Sequence, residues 1–186
     1  MRHILRLNWL VAHIDAVQIE YSPFCLSPEQ NGMLDTCREL GVAVVAFSPL
    51  GAGFLTGKYT DPEHFKGDLR NGAPRFQGDA LQENLKLLRA FEALAAEKGC
   101  TSSQLALAWV AKQGAIPIPG TKSASRLEEN WGAASVVLDE SDMLKIRQCI
   151  NVGAKGERSV ILQDFDNQSH CLYVRWGPEI MGALEK

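Results

Sequence analysis

Long hydrophobic runs are missing from this 186-residue chain, and so is an excess of positive charge. No apolar stretch approaches the roughly 20 residues that span a bilayer, which argues against a membrane-spanning protein. Nineteen Lys and Arg stand against 22 Asp and Glu, a net charge of −3. A nucleic-acid binder needs a clustered positive field, so nucleic acid is not an expected partner. Cysteine is sparse: five residues, at 25, 37, 100, 149 and 171, with no CxxC pair and no Cys/His spacing suited to zinc. No metal site is expected, and the thiols read as reduced in a cytoplasmic protein. What is present is ordinary, with 46% hydrophobic and 22% charged residues, the balance of one globular domain or a large part of one.

Residues 1–14 (MRHILRLNWLVAHI) are basic, apolar and free of acid, as a targeting peptide would be. Arg6 and Asn8 interrupt the apolar stretch, however, and no small-residue cleavage pattern follows. An amphipathic helix covering part of a sheet is expected there.

Beyond this segment strands alternate with helices. Residues 16–21 alternate Val17, Ile19 and Tyr21 with Gln18 and Glu20, the pattern of a strand with its polar side chains on one face. Ser27-Pro28-Glu29-Gln30 predicts a helix start with Ser27 as cap, Met33, Leu34, Cys37 and Leu40 as apolar stripe, and Gly41 as its stop. Val42–Phe47 is apolar throughout and predicts a strand buried on both faces. Asp79 is expected to cap a long helix carrying Leu81, Leu85, Leu88 and Phe91, and Thr101-x-x-Gln104 to open another with Leu105, Ala108 and Trp109. Ala115–Ile118 reads as a third strand, 123–134 as a helix, and Asp139 as the cap of a last helix. The order β-α-β-loop-αα-β-α-α defines an α/β protein with parallel strands. Three strands cannot cover the faces and edges of a parallel sheet, so further strands or another chain are expected beside them.

Two loops carry the chemistry. Gly51-Ala52-Gly53-Phe54-Leu55-Thr56-Gly57-Lys58-Tyr59 fails as a Walker A loop, which needs Gly at 52 and a hydroxyl residue after Lys58. It also fails as a dinucleotide fingerprint, which needs Gly where Thr56 stands. Alone it reads equally as a flexible surface loop or as backbone able to approach a pyrophosphate. The second loop, Pro119-Gly120-Thr121-Lys122-Ser123, leads into Arg126, Glu129 and Asn130. Arg126 and Asn130 share a face of a helix there, and Lys122 and Arg126 sit at its anion-friendly N-terminal end. Alone that pair reads as a solvated helix start, but two such loops after two parallel strands point to a ligand.

Together VQIEYSPF (17–24), VVAFSPLGAGFLTGKY (44–59), SSQLALAWV (102–110) and IPIPGTKSASRLEEN (116–130) resemble the aldo-keto reductases. Their order is similar to strands six to eight of that family's (β/α)₈ barrel, over about residues 15–152. The resemblance implies a partial barrel that binds NADP(H) and serves hydride transfer to an aldehyde or ketone. Gln18 matches the residue contacting the nicotinamide carboxamide, and Phe47 stands where a Tyr usually stacks under the ring. Ser48, Leu50, Gly51 and Gly53 match the pyrophosphate loop. Lys122, Ser123 and Arg126 match the pocket for the 2′-phosphate, with Glu129 and Asn130 at the adenine. No catalytic residue is expected in this chain, because the family's catalytic Asp, Tyr, Lys and His come from its first four strands. The chain therefore reads as the cofactor-binding C-terminal part of such an enzyme, or else as a non-catalytic nucleotide-binding or regulatory module or an inactive truncated remnant. A small carbonyl compound is the substrate expected of the completed enzyme, and exposed sheet edges are expected to favour self-association. Residues 1–14 lie outside the resemblance, and within the atypical 153–186 tail residues 159–175 read as a hairpin around Asp166-Asn167.

Overall fold

The computed structural model describes residues 13–67, 70–151, 154–156 and 172–174, the last three as backbone. Strand β1 (Ala16–Glu20) is followed by helices α1 (Ser27–Gln30) and α2 (Met33–Leu40) and strand β2 (Ala43–Phe47). Three 3₁₀ turns, at Phe54–Thr56, Pro62–Phe65 and Pro74–Phe76, precede α3 (Gly78–Lys98) and α4 (Ser102–Lys112). Then come β3 (Ala115–Pro117), α5 (Ala124–Gly132), α6 (Glu140–Ile150) and β4 (Leu172–Val174). The sheet order is β3-β2-β1-β4, with β1, β2 and β3 parallel and β4 antiparallel to β1. The parallel α/β reading thus holds for the first three strands.

Register divides the sheet into two unlike faces. Val17, Val44 and Ala115 form one row and Ile19, Ala46 and Pro117 the next. Apart from Pro117 these residues are buried, in one core with Leu34, Cys37, Leu105 and Trp109 from the helices. On the other face Gln18, Val45 and Ile116 form a row, with Glu20 beside Phe47 beyond it. Val45 and Phe47 are only half-buried, and Ile116 is 54% exposed. The expectation that β2 is buried on both faces is therefore corrected. Helices cover one side; on the other, Arg75 from the Pro74–Phe76 turn reaches Glu20 at 3.8 Å at the end of β1, but Val45 and Ile116 stay partly exposed, so an apolar strand need not be enclosed twice.

Local signals succeed where a side chain can close a bond without tertiary help. Thr101 Oγ1 accepts from the Gln104 amide at 3.2 Å, and Gln104 Oε1 accepts from the Thr101 amide at 3.1 Å, the expected capping box. Asp139 Oδ1 accepts from the Asp142 amide at 2.9 Å. That bond holds the Asp139 carboxyl below its usual range. Gly41 and Gly99 end their helices in the left-handed conformation.

Other boundaries shift. Ser27 is the first residue of α1 and not its cap, and its Oγ lies 3.6 Å from Cys25 Sγ. The single helix expected over 27–40 is two, because Gly32 is left-handed (φ 71°) and Asn31 Oδ1 accepts from the Met33 amide at 2.9 Å, restarting the turn. The Leu81 amide already bonds the Gln77 carbonyl at 3.1 Å, so α3 begins before Asp79, which lies in its first turn. The helix expected over 123–134 ends at Gly132 and tightens into a 3₁₀ turn over Ala133–Ser135. The helix expected over residues 1–14 lies outside the described residues, save His13 and Ile14 in irregular backbone. Of the expected hairpin, the described Leu172–Val174 form a strand, but it pairs with β1. The other arm lies outside the described residues.

Candidate functional site

The 48–78 segment is not a loose surface loop. Phe54, Leu55, Phe65 and Phe76 are almost fully buried, and Phe24 stacks on Phe54 at 4.8 Å between ring centroids. Phe76 continues the stack to Phe65 at 4.7 Å. Such rings bury large apolar areas and anchor the backbone above them. Asn84 fixes the end of the segment, donating to the Arg75 carbonyl at 2.8 Å and the Lys155 carbonyl at 2.9 Å.

On this aromatic base the chain turns sharply after β2. The Gly51 amide bonds the Ser48 carbonyl at 2.9 Å, and the Gly53 amide bonds that of Leu50 at 3.0 Å. Ser48 (φ 50°) and Ala52 (φ 56°) occupy the left-handed region that side chains disfavour. Strain of this kind persists where the surroundings enforce it, and it concentrates at ligand sites. Gly51 is required for a different reason: a Cβ there would lie 2.9 Å from Phe24 Cβ.

The turn forms one wall of a cleft of about 310 Å³. Ser48, Leu50 and Gly53 line that wall, and Arg126, Glu129 and Asn130 face it from α5. The Gln104 side chain sets the spacing, donating to the Glu129 carbonyl at 3.1 Å and so tying the start of α4 to α5. Six residues singled out from the sequence therefore meet in one cavity. Gly51 instead packs on Phe24 behind the turn. Lys122 and Ser123 precede α5 without lining the cavity, and the Ser123 amide bonds Thr121 Oγ1 at 3.1 Å. Gln18 and Phe47 lie on the open face of the sheet, also outside the cavity lining.

Sequence reasoning missed part of the lining, chiefly Lys58, Tyr59, Arg70, Ser103 and Thr121. Lys58 and Tyr59 close the glycine string and Thr121 lies within the second loop, so proximity in sequence could have found these three. Arg70 has no such signal, because only the fold of the intervening segment returns it. The cleft carries three cationic side chains, Lys58, Arg70 and Arg126, against the single carboxylate of Glu129. It is built to attract an anion.

Of the two tyrosines whose side chains are described, Tyr21 lies in the core away from the cleft, whereas Tyr59 lines it. Tyr21 donates to Glu29 Oε1 at 2.6 Å, beneath a bidentate bond from Arg147 at 2.7 and 3.1 Å. Burial, then the Glu29 bond and charge, push its phenol far above the usual range, so it stays protonated. Tyr59 stacks on Phe65 at 5.8 Å. Among the described residues no His, Cys, Asp and Glu cluster could hold a metal.

A parallel sheet backed by helices, with a cleft beyond the ends of its strands, is the arrangement in which α/β proteins place their ligand sites. The model of the aldo/keto reductase family matches residues 2–151, and the chain belongs to that family. The match corrects the expectation that residues 1–14 stand apart.

The aldo-keto reductase yakc of Schizosaccharomyces pombe, whose name specifies NADP(+), is 44% identical over 151 residues, 78% of this chain and 44% of that protein. The aldo-keto reductase str7 of Strobilurus tenacellus is 43% identical over 149 residues, 77% of this chain and 44% of its own length. The chain thus spans under half the length of these relatives. The solved structure of a glycerol dehydrogenase from Gluconobacter oxydans superposes with a TM-score of 0.73 at 24% identity, covering 80% of this chain and 46% of that one. The fold is accordingly part of a (β/α)₈ barrel.

Proposed function

We propose that this chain is the cofactor-binding C-terminal part of an NADPH-dependent aldo-keto reductase acting on a small aldehyde or ketone. The observation carrying the reading is the cleft that joins the strained Ser48–Gly53 turn to Arg126, Glu129 and Asn130 on α5. The residues fit the group. Backbone amides of a tight turn and cationic side chains suit a diphosphate, and a guanidinium on the first turn of a helix suits a further phosphate. Arg126 and Lys122 would hold the 2′-phosphate, with Ser123 beside them and Glu129 and Asn130 at the adenine. Ser48, Leu50, Gly51 and Gly53 would carry the diphosphate. Gln18 and Phe47, on the open face of the sheet, would orient the nicotinamide. When bound, the cofactor supplies the hydride.

This chain contributes binding and orientation, and the proton would come from elsewhere in a complete barrel. Four free thiols among the described cysteines suit a cytoplasmic setting. The open face and the β3 edge suit association with another copy or with the rest of a barrel. No helix among the described residues is long and apolar enough to cross a membrane.

Titration of the purified chain with NADPH and NADH, followed by calorimetry, tests the reading. A charge-assisted contact contributes about 1.5–3 kcal/mol, so NADPH should bind one to two orders of magnitude more tightly than NADH. Arg126→Ala should erase most of that preference while leaving NADH affinity nearly unchanged. Equal losses for both cofactors would withdraw the 2′-phosphate assignment. The same preparation should reduce no simple aldehyde above background. Turnover abolished by a substitution within this chain would show that it carries its own proton donor.

A further inference from the structure

We propose that Asn84 is a positioning residue for the nucleotide cleft, acting by tying the chain after α6 to the aromatic floor beneath the glycine turn. The inference rests on the nucleotide reading of the cleft and adds to it a residue that lies outside the lining.

Asn84 lies in α3, a polar side chain only 1% exposed, and both N–H donors of its amide are engaged. Nδ2 donates to the Arg75 carbonyl at 2.8 Å and to the Lys155 carbonyl at 2.9 Å, while Oδ1 accepts from the Lys155 amide at 2.7 Å. It therefore meets Lys155 as a neighbouring strand would, with one donor and one acceptor, and gives its second N–H to Arg75. The held segment is seated at two further points. The Ala154 amide bonds the Phe24 carbonyl at 3.4 Å. A Cβ on Gly156 would lie 2.8 Å from the Arg75 nitrogen, with φ at +82°, so two backbones meet there at a distance that requires glycine.

Ala154–Gly156 follow directly on the matched residues 2–151, yet they are built into the ground on which the glycine turn stands. Phe24, whose carbonyl Ala154 engages, is the residue against which Gly51 packs. Phe76, next to Arg75, lies 5.7 Å from the Phe54 ring and 6.3 Å from that of Phe24. Ser48 and Ala52 keep their left-handed backbone only while such surroundings enforce it. Asn84 acts on those surroundings from behind. An apolar side chain in its place would leave two carbonyls and an amide without their partner, and the floor would be free to shift under the turn. Both dinucleotides share the diphosphate that this turn would carry, so the effect falls on both alike.

The test uses Asn84→Asp, which keeps the size of the side chain and makes its donors depend on pH. Protonated, the carboxyl can donate to one carbonyl and accept from the Lys155 amide; ionised, it turns a charge on two carbonyl oxygens and donates nothing. Burial raises a carboxyl's pKa, so the change should fall between about pH 6 and about pH 8. The full chain is titrated calorimetrically with NADP⁺ and NAD⁺, which withstand mild acid, and the variant is compared with wild type at each pH. Asn84→Asp should weaken both dinucleotides about 10-fold at the higher pH, recover to within about threefold at the lower, and leave their ratio unchanged. Hydrogen exchange at the Gly51 and Gly53 amides should quicken by about 10-fold at the higher pH only. Asn84→Leu should show the losses at both pH values. A role in stability alone would lower the unfolding midpoint while affinity and exchange at the turn stay at wild-type values, and that result overturns the assignment. Gly156→Ala disturbs the same joint from the other side and remains the comparison if Asn84→Asp fails to fold. It should weaken both dinucleotides at both pH values, and wild-type affinity in that variant also overturns the assignment. Should the wild-type chain bind neither dinucleotide, the nucleotide reading falls and takes this one with it. Loss of NADP⁺ preference in Arg126→Ala, with no effect of Asn84→Asp or Gly156→Ala, leaves the nucleotide reading standing and overturns this one alone.

Discussion

The two faces of the sheet are made of neighbouring residues in the same strands, yet they live in different environments. Val17, Ile19, Val44 and Ala46 lie under helices and are almost inaccessible. Their immediate neighbours Gln18, Val45, Phe47 and Ile116 lie on the more open face, and Ile116 and Ile118 are 54% and 43% exposed. Beside the β3 edge, on α5, Leu127 and Trp131 are 60% and 81% exposed. One face is finished by this chain, and the other is apolar but unfinished. The comparison teaches where stability and binding reside. Burial concentrates on the helix side, whereas Gln18 and Phe47 stand on the more open face.

The largest effect that would sharpen this comparison is on the closed side. Trp109 is fully buried, its ring 5.3 Å from that of Tyr21 and under the Arg147 guanidinium at 5.3 Å. Trp109→Ala should cost about 3–5 kcal/mol in urea unfolding, the usual range for removing a large aromatic from a core. A loss below about 1 kcal/mol would mean that the helix side is not the stabilising face. The open side should behave in the opposite way. Ile116→Ser on that face, combined with Trp131→Ser beside the β3 edge, should change unfolding stability by no more than about 0.5 kcal/mol each, as for surface positions. The same pair should lower the sedimentation coefficient at high protein concentration, because it removes apolar surface available for association. Strong destabilisation by the pair would break the comparison, since it would show that this face is already packed within one chain.

Much of the helix side was legible from the sequence, and the reasons are local. The capping box at Thr101 and Gln104 needs only four residues, and the left-handed stops at Gly41 and Gly99 need only one each. The apolar stripe Leu81, Leu85, Leu88 and Phe91 was equally readable, because helical spacing places those side chains on one face regardless of what covers them. Boundaries failed where two local signals competed. Ser27 looked like a cap but became the first helical residue, and Asn31-Gly32 split a helix whose apolar stripe reads as continuous.

The candidate site divides in the same manner. Ser48, Leu50, Gly53, Arg126, Glu129 and Asn130 were visible as two strings, each following a parallel strand. That they share one cavity depends on parallel pairing of β2 with β3 and on the Gln104 side chain fixing α5. Lys122 and Ser123 carry the same sequence signal but do not line the cavity, because a loop residue's direction is set by turns such as the Thr121–Ser123 bonds. Sequence alone determined the parallel α/β class, the two loops and the cationic character of the second, since each rests on residue type and short-range spacing. Only the tertiary structure decided that Phe24, Phe54, Phe65 and Phe76 stack into a floor beneath the glycine turn. It alone decided that Ala52 is held in a strained conformation, and that Arg70 returns across 17 residues to bond its carbonyl. Those outcomes depend on contacts between distant segments, and a side chain's partners across the fold leave no periodicity for a sequence to display.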